Sequence, residues 1–151
     1  MDALGLLKDD HDKVKKMLRE LESTTERGVK TREELFSKVK HELTVHEAIE
    51  EEIFYPALKE HPKTKDIALE AYEEHHVVDT VMAEIERVAY EDETWGAKFK
   101  VMKENLEHHI EEEEGEMFKQ ARQVFDRDEL DHLGETMATR KQELMRQAPA
   151  A

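Results

Sequence analysis

The chain has 151 residues, of which 38% are hydrophobic and 40% charged, and its formal net charge at pH 7 is −15. That charge argues against nucleic acid and anionic membrane surfaces as partners, because both are negative and no basic stripe is present to bind them. The sequence has no cysteine, which excludes disulfides, thiolate metal sites and iron–sulfur clusters. Its length suits one domain, and its few prolines and glycines favour helices.

Four segments carry core-type residues at alternating spacings of three and four, which is typical of the buried seam of a bundle helix. The seams run from Leu4 to Leu21, from Phe36 through Ile53 to Ala57, from Ala68 to Ala89 and from Phe99 to Glu113. A fifth apolar pattern follows between about residues 128 and 145. The turns are predicted around Gly28, around Pro62 and between Glu91 and Gly96.

These elements predict an all-α protein, an up-down-up-down four-helix bundle with an additional C-terminal helix. The bundle is expected to occupy residues 1–125. The C-terminal helix and tail, residues 126–151, are expected to cover the bundle or to form a dimer contact, so a monomer and a homodimer both stay open. The sequence has no signal-peptide pattern and no apolar run near the ~20 residues of a membrane span, so a cytoplasmic location is expected.

Six seam positions hold ionisable side chains, which would be costly to bury without partners. They are His11, His46, Glu50, His75, His109 and Glu113. His11 lies 17 residues before Gly28 and His46 lies 18 after it, so they stand at one level of an antiparallel hairpin. His75 lies 17 residues before Asp92 and His109 lies 17 after it, so these two histidines also stand at one level. All six side chains can therefore meet in one layer of the core.

An internal repeat relates the two predicted hairpins at an offset of 63 or 64 residues. Two acids precede His11 and His75. His46 and His109 are each followed by glutamates four and five residues later, and by an aromatic nine residues later. The four-residue spacing puts a histidine and a glutamate on one helix face, one turn apart. Each hairpin would supply two histidines and one glutamate, which predicts a pseudo-symmetric site for two metals.

With these motifs, residues 3–125 resemble the hemerythrin-like (HHE cation-binding) family. The resemblance implies two non-heme iron ions that share an oxo or hydroxo group, with the four histidines as terminal ligands and Glu50 and Glu113 as bridges. Manganese and zinc stay possible, because imidazole and carboxylate suit several divalent metals. The oxygen-carrying members have a further histidine where this chain has Asp79, so simple oxygen carriage is not expected. The ligand set is similar to that of bacterial iron-centre repair proteins, which carry an additional cysteine-bearing domain.

Six protein ligands would leave each metal at least one position for a small molecule. The favoured hypothesis is therefore a di-iron protein that reacts with peroxide, O₂ or NO, and catalase-like peroxide turnover is its concrete form. The alternative is an iron or oxygen sensor, or an iron store, without catalytic turnover. A bundle with a polar, metal-free core is a third hypothesis.

Several residues near the six are assigned less specific roles. Glu51 and Glu114, which lie in acidic runs, are predicted to be surface residues. Tyr55 and Phe118, the aromatics of the repeat, are predicted to be core residues. Tyr72 could approach the site, although no spacing fixes its position.

Overall fold

The computed structural model describes residues 1–147, so the tail at 148–151 lies outside the described residues. Five helices follow one another in this part of the chain. They are α1 (Ala3–Glu22); α2, a continuous helix of Val29–Ile49, Glu50–Phe54 and Tyr55–Lys59; α3 (Pro62–Glu86); α4, a continuous helix of Trp95–Glu112, Glu113–Met117 and Phe118–Val124; and α5 (Arg127–Met145). The predicted all-α bundle with an additional C-terminal helix is confirmed.

Local hydrogen bonding explains where two of the helices begin. The Asp2 carboxylate accepts a hydrogen bond from the Gly5 amide at 2.7 Å, which caps the start of α1. Asp126 and Glu129 form a reciprocal capping box at the start of α5. None of the helices among residues 1–147 combines the length and the apolar character that a bilayer crossing requires.

Apolar side chains fill the bundle in two separate clusters. One contains Leu7 and Phe54 and lies toward α5, whereas the other contains Leu18, Phe36 and Trp95 and lies toward the opposite end. The ionisable seam positions fall between the two clusters along the four bundle helices α1 to α4. The polar layer is therefore enclosed by close-packed apolar walls, which restrict the motion of its side chains.

Two π-helical turns interrupt the bundle helices, and each begins at the glutamate of a His-x-x-x-Glu pair. In α2 the Tyr55 amide donates to the Glu50 carbonyl, five residues earlier, instead of four. The wider turn moves the buried seam by one residue. The sequence placed Ile53 and Ala57 on the seam, but Phe54 and Leu58 are fully buried there. That part of the seam prediction is wrong, because a regular α-helical period was assumed.

The C-terminal helix α5 packs across α1 and α2. Its Leu130 and Met137 belong to the same apolar cluster as Leu4 of α1. Arg140 contacts the Glu52 carboxylate of α2 at 3.2 Å. This arrangement agrees with a helix that covers the bundle, while the domain division at residue 125 stays a prediction.

Gly134 is the position at which α5 approaches the N-terminal segment most closely. A Cβ atom there would lie 2.5 Å from the Met1 carbonyl oxygen and 2.7 Å from the Ala3 nitrogen. We expect Gly134→Ala to force the backbones apart at a cost of about 1–3 kcal/mol, which lowers Tm by about 2–12 °C. Thermal unfolding followed by circular dichroism measures this. Gly96→Ala is the control, since its Cβ would meet no atom within 4 Å, and equal Tm values for both variants would contradict the prediction.

Candidate metal centre

The six predicted ligand side chains converge between the two apolar clusters, and each residue is at most 6% exposed. Glu50 Oε1 lies 3.0 Å from His46 Nε2 and 3.2 Å from His75 Nε2. The two oxygens of Glu113 lie 3.2 Å from the Nε2 atoms of His11 and His109. Each glutamate therefore contacts one histidine of its own hairpin and one histidine of the other.

The histidines form two pairs, a point that the sequence left open. The ring centroids of His11 and His46 are 4.9 Å apart, and those of His75 and His109 are 4.8 Å apart. Within this layer, two sets of donor atoms, each within a 4.8 Å span, could hold a metal ion. One set is His11, His46, Glu50 and Glu113, and the other is Glu50, His75 and His109. The two histidines of one hairpin thus belong to the same set.

Each of the four histidines points its Nε2 atom inward and its Nδ1 atom toward an outer carboxylate. The Nδ1 contacts are His11 with Glu114 at 2.7 Å, and His46 with Asp10, His75 with Glu51 and His109 with Glu74, each at 2.9 Å. Such contacts fix the tautomer and orientation of a metal-binding imidazole. The prediction that Glu51 and Glu114 are only surface residues is wrong, because each contacts the Nδ1 atom of a buried histidine.

The sequence repeat contains the pattern of these outer contacts. The acid that precedes the first histidine of a hairpin, Asp10 or Glu74, contacts the second histidine of the same hairpin. The glutamate that follows a shared glutamate, Glu51 or Glu114, contacts the first histidine of the other hairpin. Each hairpin has two acids before its first histidine and two successive glutamates after its second. This repeated pattern was the sequence signal that could have predicted the carboxylates that contact the Nδ1 atoms.

Several buried polar atoms in the cluster have no hydrogen-bond partner among the described residues. They are Nε2 of His11 and His46, both carboxylate oxygens of Glu50, and Oε1 of Glu113. Buried polar atoms are rarely left without partners, so these atoms call for a ligand. A set of imidazole nitrogens and carboxylate oxygens, oriented by outer hydrogen bonds, fits a transition-metal ion such as iron, manganese or zinc.

Without a metal, protons would balance the charge of this layer. Burial by itself would lower the pKa of His75 and of His109. Hydrogen bonds and negative charge from the neighbouring carboxylates outweigh burial, and raise the pKa of His75 to about 10 and that of His109 to about 9. Burial likewise opposes ionisation of Glu113, but its close contacts with Glu50, His109 and His11 bring its pKa well below the usual range. Metal ions would therefore replace protons on these histidines.

Tyr55 brings a phenol into the layer. Its hydroxyl donates to Glu113 Oε2 at 2.7 Å and lies 3.3 and 3.4 Å from the Nε2 atoms of His75 and His109. The residue is fully buried, as predicted, but the sequence did not indicate where the hydroxyl would lie. At the repeat-related position, Phe118 stacks on His11 with 6.3 Å between ring centroids. The phenol therefore belongs to one half of the centre.

Tyr72 does not reach the ligands. Its hydroxyl donates to the backbone carbonyl of Glu51 at 3.1 Å, and its ring packs edge-on against Tyr55.

A small cavity of about 140 Å³ reaches the same half of the centre. Its inner wall includes His109 and Glu113, and its remaining lining is Ile67, Glu70, Glu74, Glu112, Glu116 and Met117. Because the buried His109 and Glu113 and several exposed glutamates line one space, the cavity joins this layer to the protein surface. Its volume suits a molecule of a few atoms.

Taken together, the helical bundle and its buried layer of histidine and glutamate define a cation-binding protein. The family model described as hemerythrin HHE cation-binding domain matches residues 2–121, and the chain belongs to this family. A crystal structure of a hemerythrin HHE cation-binding domain-containing protein from Mycobacterium kansasii is similar, with a TM-score of 0.86 and 28% identity. The match covers 95% of this chain and 87% of that chain. A search among curated proteins found no significant match.

Proposed function

We propose that the four histidines and two glutamates hold two iron ions and that the protein turns over peroxide in a catalase-like reaction. The observation that carries the proposal is the position of Glu50 and Glu113. Each contacts histidines of both hairpins, and Glu50 belongs to both donor sets, as a paired-metal site requires. When bound, two irons would supply the electron exchange that peroxide disproportionation needs. Zinc has no redox chemistry and would not supply it.

The two halves of the centre differ in ways that favour small-molecule binding beside His75 and His109. The phenol of Tyr55 lies beside the Nε2 atoms of His75 and His109, and the cavity reaches His109. The Glu113 oxygen that faces His109 also accepts the Tyr55 hydrogen bond, whereas the oxygen that faces His11 has no such partner among the described residues. An external molecule therefore has both an entrance and a hydrogen-bond donor beside His109, so we place the reaction there.

The charge of the cavity lining favours uncharged reactants. Glu70, Glu112 and Glu116 are exposed and line its outer part, and no lysine or arginine is among its lining residues in the described part of the chain. Negative charge at a narrow entrance repels anions and leaves neutral molecules unaffected. Hydrogen peroxide, O₂ and NO are small and neutral, and the lining therefore supports this group of reactants over azide or other anions.

Proton transfer in this reaction would involve Tyr55. One H₂O₂ gives up two electrons and two protons as it becomes O₂, and a second H₂O₂ takes them up as it becomes two waters. Burial, together with the charges of Glu113 and Glu50, raises the pKa of Tyr55 well above its ordinary value, so the phenol keeps its proton. Its hydroxyl lies beside His75 and His109, where it could turn from Glu113 Oε2 to donate a hydrogen bond, and then its proton, to the peroxide that is reduced. The peroxide that is oxidised releases the proton that restores the phenol.

Tyr55→Phe tests that role. We expect peroxide turnover to fall by roughly 100-fold while the metal content stays the same, because the ring still fills its core position and the hydroxyl is lost. Oxygen release measured with an electrode, beside elemental analysis of each sample, gives the two readouts. Tyr72→Phe is the matched control, since that hydroxyl bonds the Glu51 carbonyl away from the centre. Equal loss in both variants, or full activity in Tyr55→Phe, would contradict a proton-transfer role.

The proposed function itself is tested on the purified protein. We expect elemental analysis to give about two irons per chain, and near-ultraviolet and visible bands to change when peroxide is added. One molecule of O₂ should be released for each pair of H₂O₂ molecules consumed, as disproportionation requires. Iron uptake without oxygen release would refute catalysis and leave sensing or storage. Failure to take up iron on reconstitution would refute the di-iron centre.

A sensor is the second candidate, and one contact favours it. Asp10 accepts a hydrogen bond from His46 at 2.9 Å and also pairs with Lys141 of α5. A change of charge at the centre would therefore alter the Asp10–Lys141 ion pair, which joins the centre to the C-terminal helix. Hydrogen exchange in α5 that differs between oxidised and reduced iron-loaded protein is the expected result for a sensor, and identical exchange would argue against it.

A further inference from the structure

Glu47 is a buried carboxylate that the metal centre does not use. The residue is 8% exposed, and its Oε1 atom has no hydrogen-bond partner among the described residues. It directly follows His46, and the repeat-related residue that follows His109 is Ile110, which is buried and apolar. Since the fold accepts an apolar residue at this position, packing does not require an acid. A buried carboxylate is costly unless something pairs with it.

The other buried acids outside the ligand set have basic partners. Asp10 pairs with Lys141, and Glu42 lies 2.5 Å from the amino group of Lys13. Within the described part of the chain, His75 is the positive group that acts on Glu47, and no lysine or arginine pairs with it. The imidazole of His75 is already engaged by Glu50 on one side and Glu51 on the other. An ionised Glu47 would therefore have no lysine or arginine to balance its charge.

Two further carboxylates surround Glu47 and lead to the surface. Donor atoms of Glu47, Glu51 and His75 lie within 4.8 Å of one another. Asp79, one turn after His75 on α3, is close enough to hydrogen-bond with Glu47. A surface depression of about 430 Å³ is lined by Glu51, His75 and Asp79, together with Tyr72, Glu73 and His76. A hydrated ion could therefore reach Glu51 and Asp79 from solvent, and Glu47 lies behind them with a donor atom within 4.8 Å of one of Glu51.

We propose that Glu47, Glu51 and Asp79 bind a divalent metal cation on the outer side of His75, separate from the buried centre. Carboxylate oxygens are the ligands that Mn²⁺, Mg²⁺ and Ca²⁺ prefer. Glu51 accepts the His75 Nδ1 hydrogen bond with one oxygen, which leaves its other oxygen for the cation. The ion would balance the charge of Glu47, and the imidazole of His75 would lie between the ion and the buried centre.

A proton is the competing explanation for the same geometry. Burial raises the pKa of Glu47 to about 9, and its hydrogen bond with Asp79 acts in the same direction. A protonated Glu47 could share its proton with Asp79 without any metal. The two explanations differ in whether the carboxylates bind a cation, so a direct count of bound cations separates them.

The test is a titration of the iron-loaded protein with Mn²⁺, in which electron paramagnetic resonance measures the free ion. We expect about one Mn²⁺ per chain to bind in addition to the metal of the centre, which elemental analysis counts in the same sample. Glu47→Gln and Asp79→Asn should each weaken Mn²⁺ binding by more than about tenfold. Asp79 is exposed, so its variant tests the site even where Glu47→Gln fails to fold.

Asp66→Asn is the matched control, because it removes the same charge from an exposed position on the same helix. It should bind Mn²⁺ as the unaltered protein does. The proposal is overturned when the iron-loaded protein binds no additional Mn²⁺ up to about a millimolar. It is also overturned when Asp66→Asn weakens binding as much as Asp79→Asn, since general surface charge then explains the effect. Mn²⁺ binding by a protein that takes up no iron would refute the di-iron centre and leave this site standing.

Discussion

The Glu113→Gln variant is expected to lose metal from both halves of the centre. Glu113 contacts His11 and His109, which belong to different donor sets, and it also accepts the Tyr55 hydrogen bond. An amide keeps the size of the side chain, but supplies one weak oxygen ligand and no charge. We expect metal affinity to fall by well over 100-fold, beyond the roughly 10–100-fold loss that follows from removing an outer hydrogen-bond partner.

Competition with a chelator of known affinity, read by elemental analysis, measures this effect. Glu114→Gln is the matched control, because it removes one charge at the next residue and leaves all six ligands in place. It weakens the hydrogen bond from His11 Nδ1, because a neutral amide oxygen replaces a carboxylate, so we expect at most roughly 10–100-fold weaker binding with both metals still present at saturation. Glu113→Gln with metal content equal to that of the control would show that Glu113 is not a shared ligand.

Removal of the metals is expected to destabilise the fold. Ions that bind the folded state alone stabilise it by about 4 kcal/mol when their free concentration is about 1,000 times Kd. For a chain of this size that corresponds to a Tm lower by about 8–16 °C after chelation. Differential scanning calorimetry with and without chelator gives the value. An unchanged Tm would mean that the buried layer holds no metal.

The pH dependence of the metal-free protein has an expected sign. The folded pKa values of His75 and His109, about 10 and about 9, are above the ordinary value of 6.5. Their protonated forms therefore stabilise the fold fully below about pH 6.5, and this contribution is lost as pH rises through 9 to 10. The metal-free protein should have a lower Tm at pH 9.5 than at pH 6.5.

Metal binding should show the opposite dependence, because metals compete with protons for the same nitrogens. The difference in Tm between loaded and metal-free protein is therefore expected to widen as pH rises. Parallel Tm measurements at the two pH values test both signs. A metal-free protein that becomes more stable toward pH 9.5 would contradict the assigned protonation of the histidines.

The bundle could be predicted as far as its helices are regular. The alternating spacing located the helix seams, and counting from Gly28 and Asp92 brought the six ionisable residues to one level. The π-helical turns could not be predicted, because a five-residue hydrogen bond leaves no mark in a pattern of apolar spacings. The burial of Phe54 and Leu58 in place of Ile53 and Ala57 is the result.

The contacts within the centre depend on the direction in which each side chain points from its helix axis. Counting residues from the turns gives only the height of a side chain along the bundle. The pairing of His11 with His46, and the hydroxyl position of Tyr55, needed the three-dimensional arrangement. Glu51 and Glu114 look like members of solvated acidic runs, because their neighbours are acidic as well. Comparison of the two repeats was the information that pointed to them.

The crossed contacts of Glu50 and Glu113 bear on how such a protein could have arisen. A single hairpin carries two histidines and one glutamate, and that glutamate also needs a histidine from the other hairpin. An ancestral hairpin could therefore complete the centre by pairing with a second copy of itself, about a two-fold axis between the glutamates. Duplication and fusion of its gene would then free the two halves to diverge. Tyr55 opposite Phe118, and Glu47 opposite Ile110, are differences that a symmetric dimer could not have held.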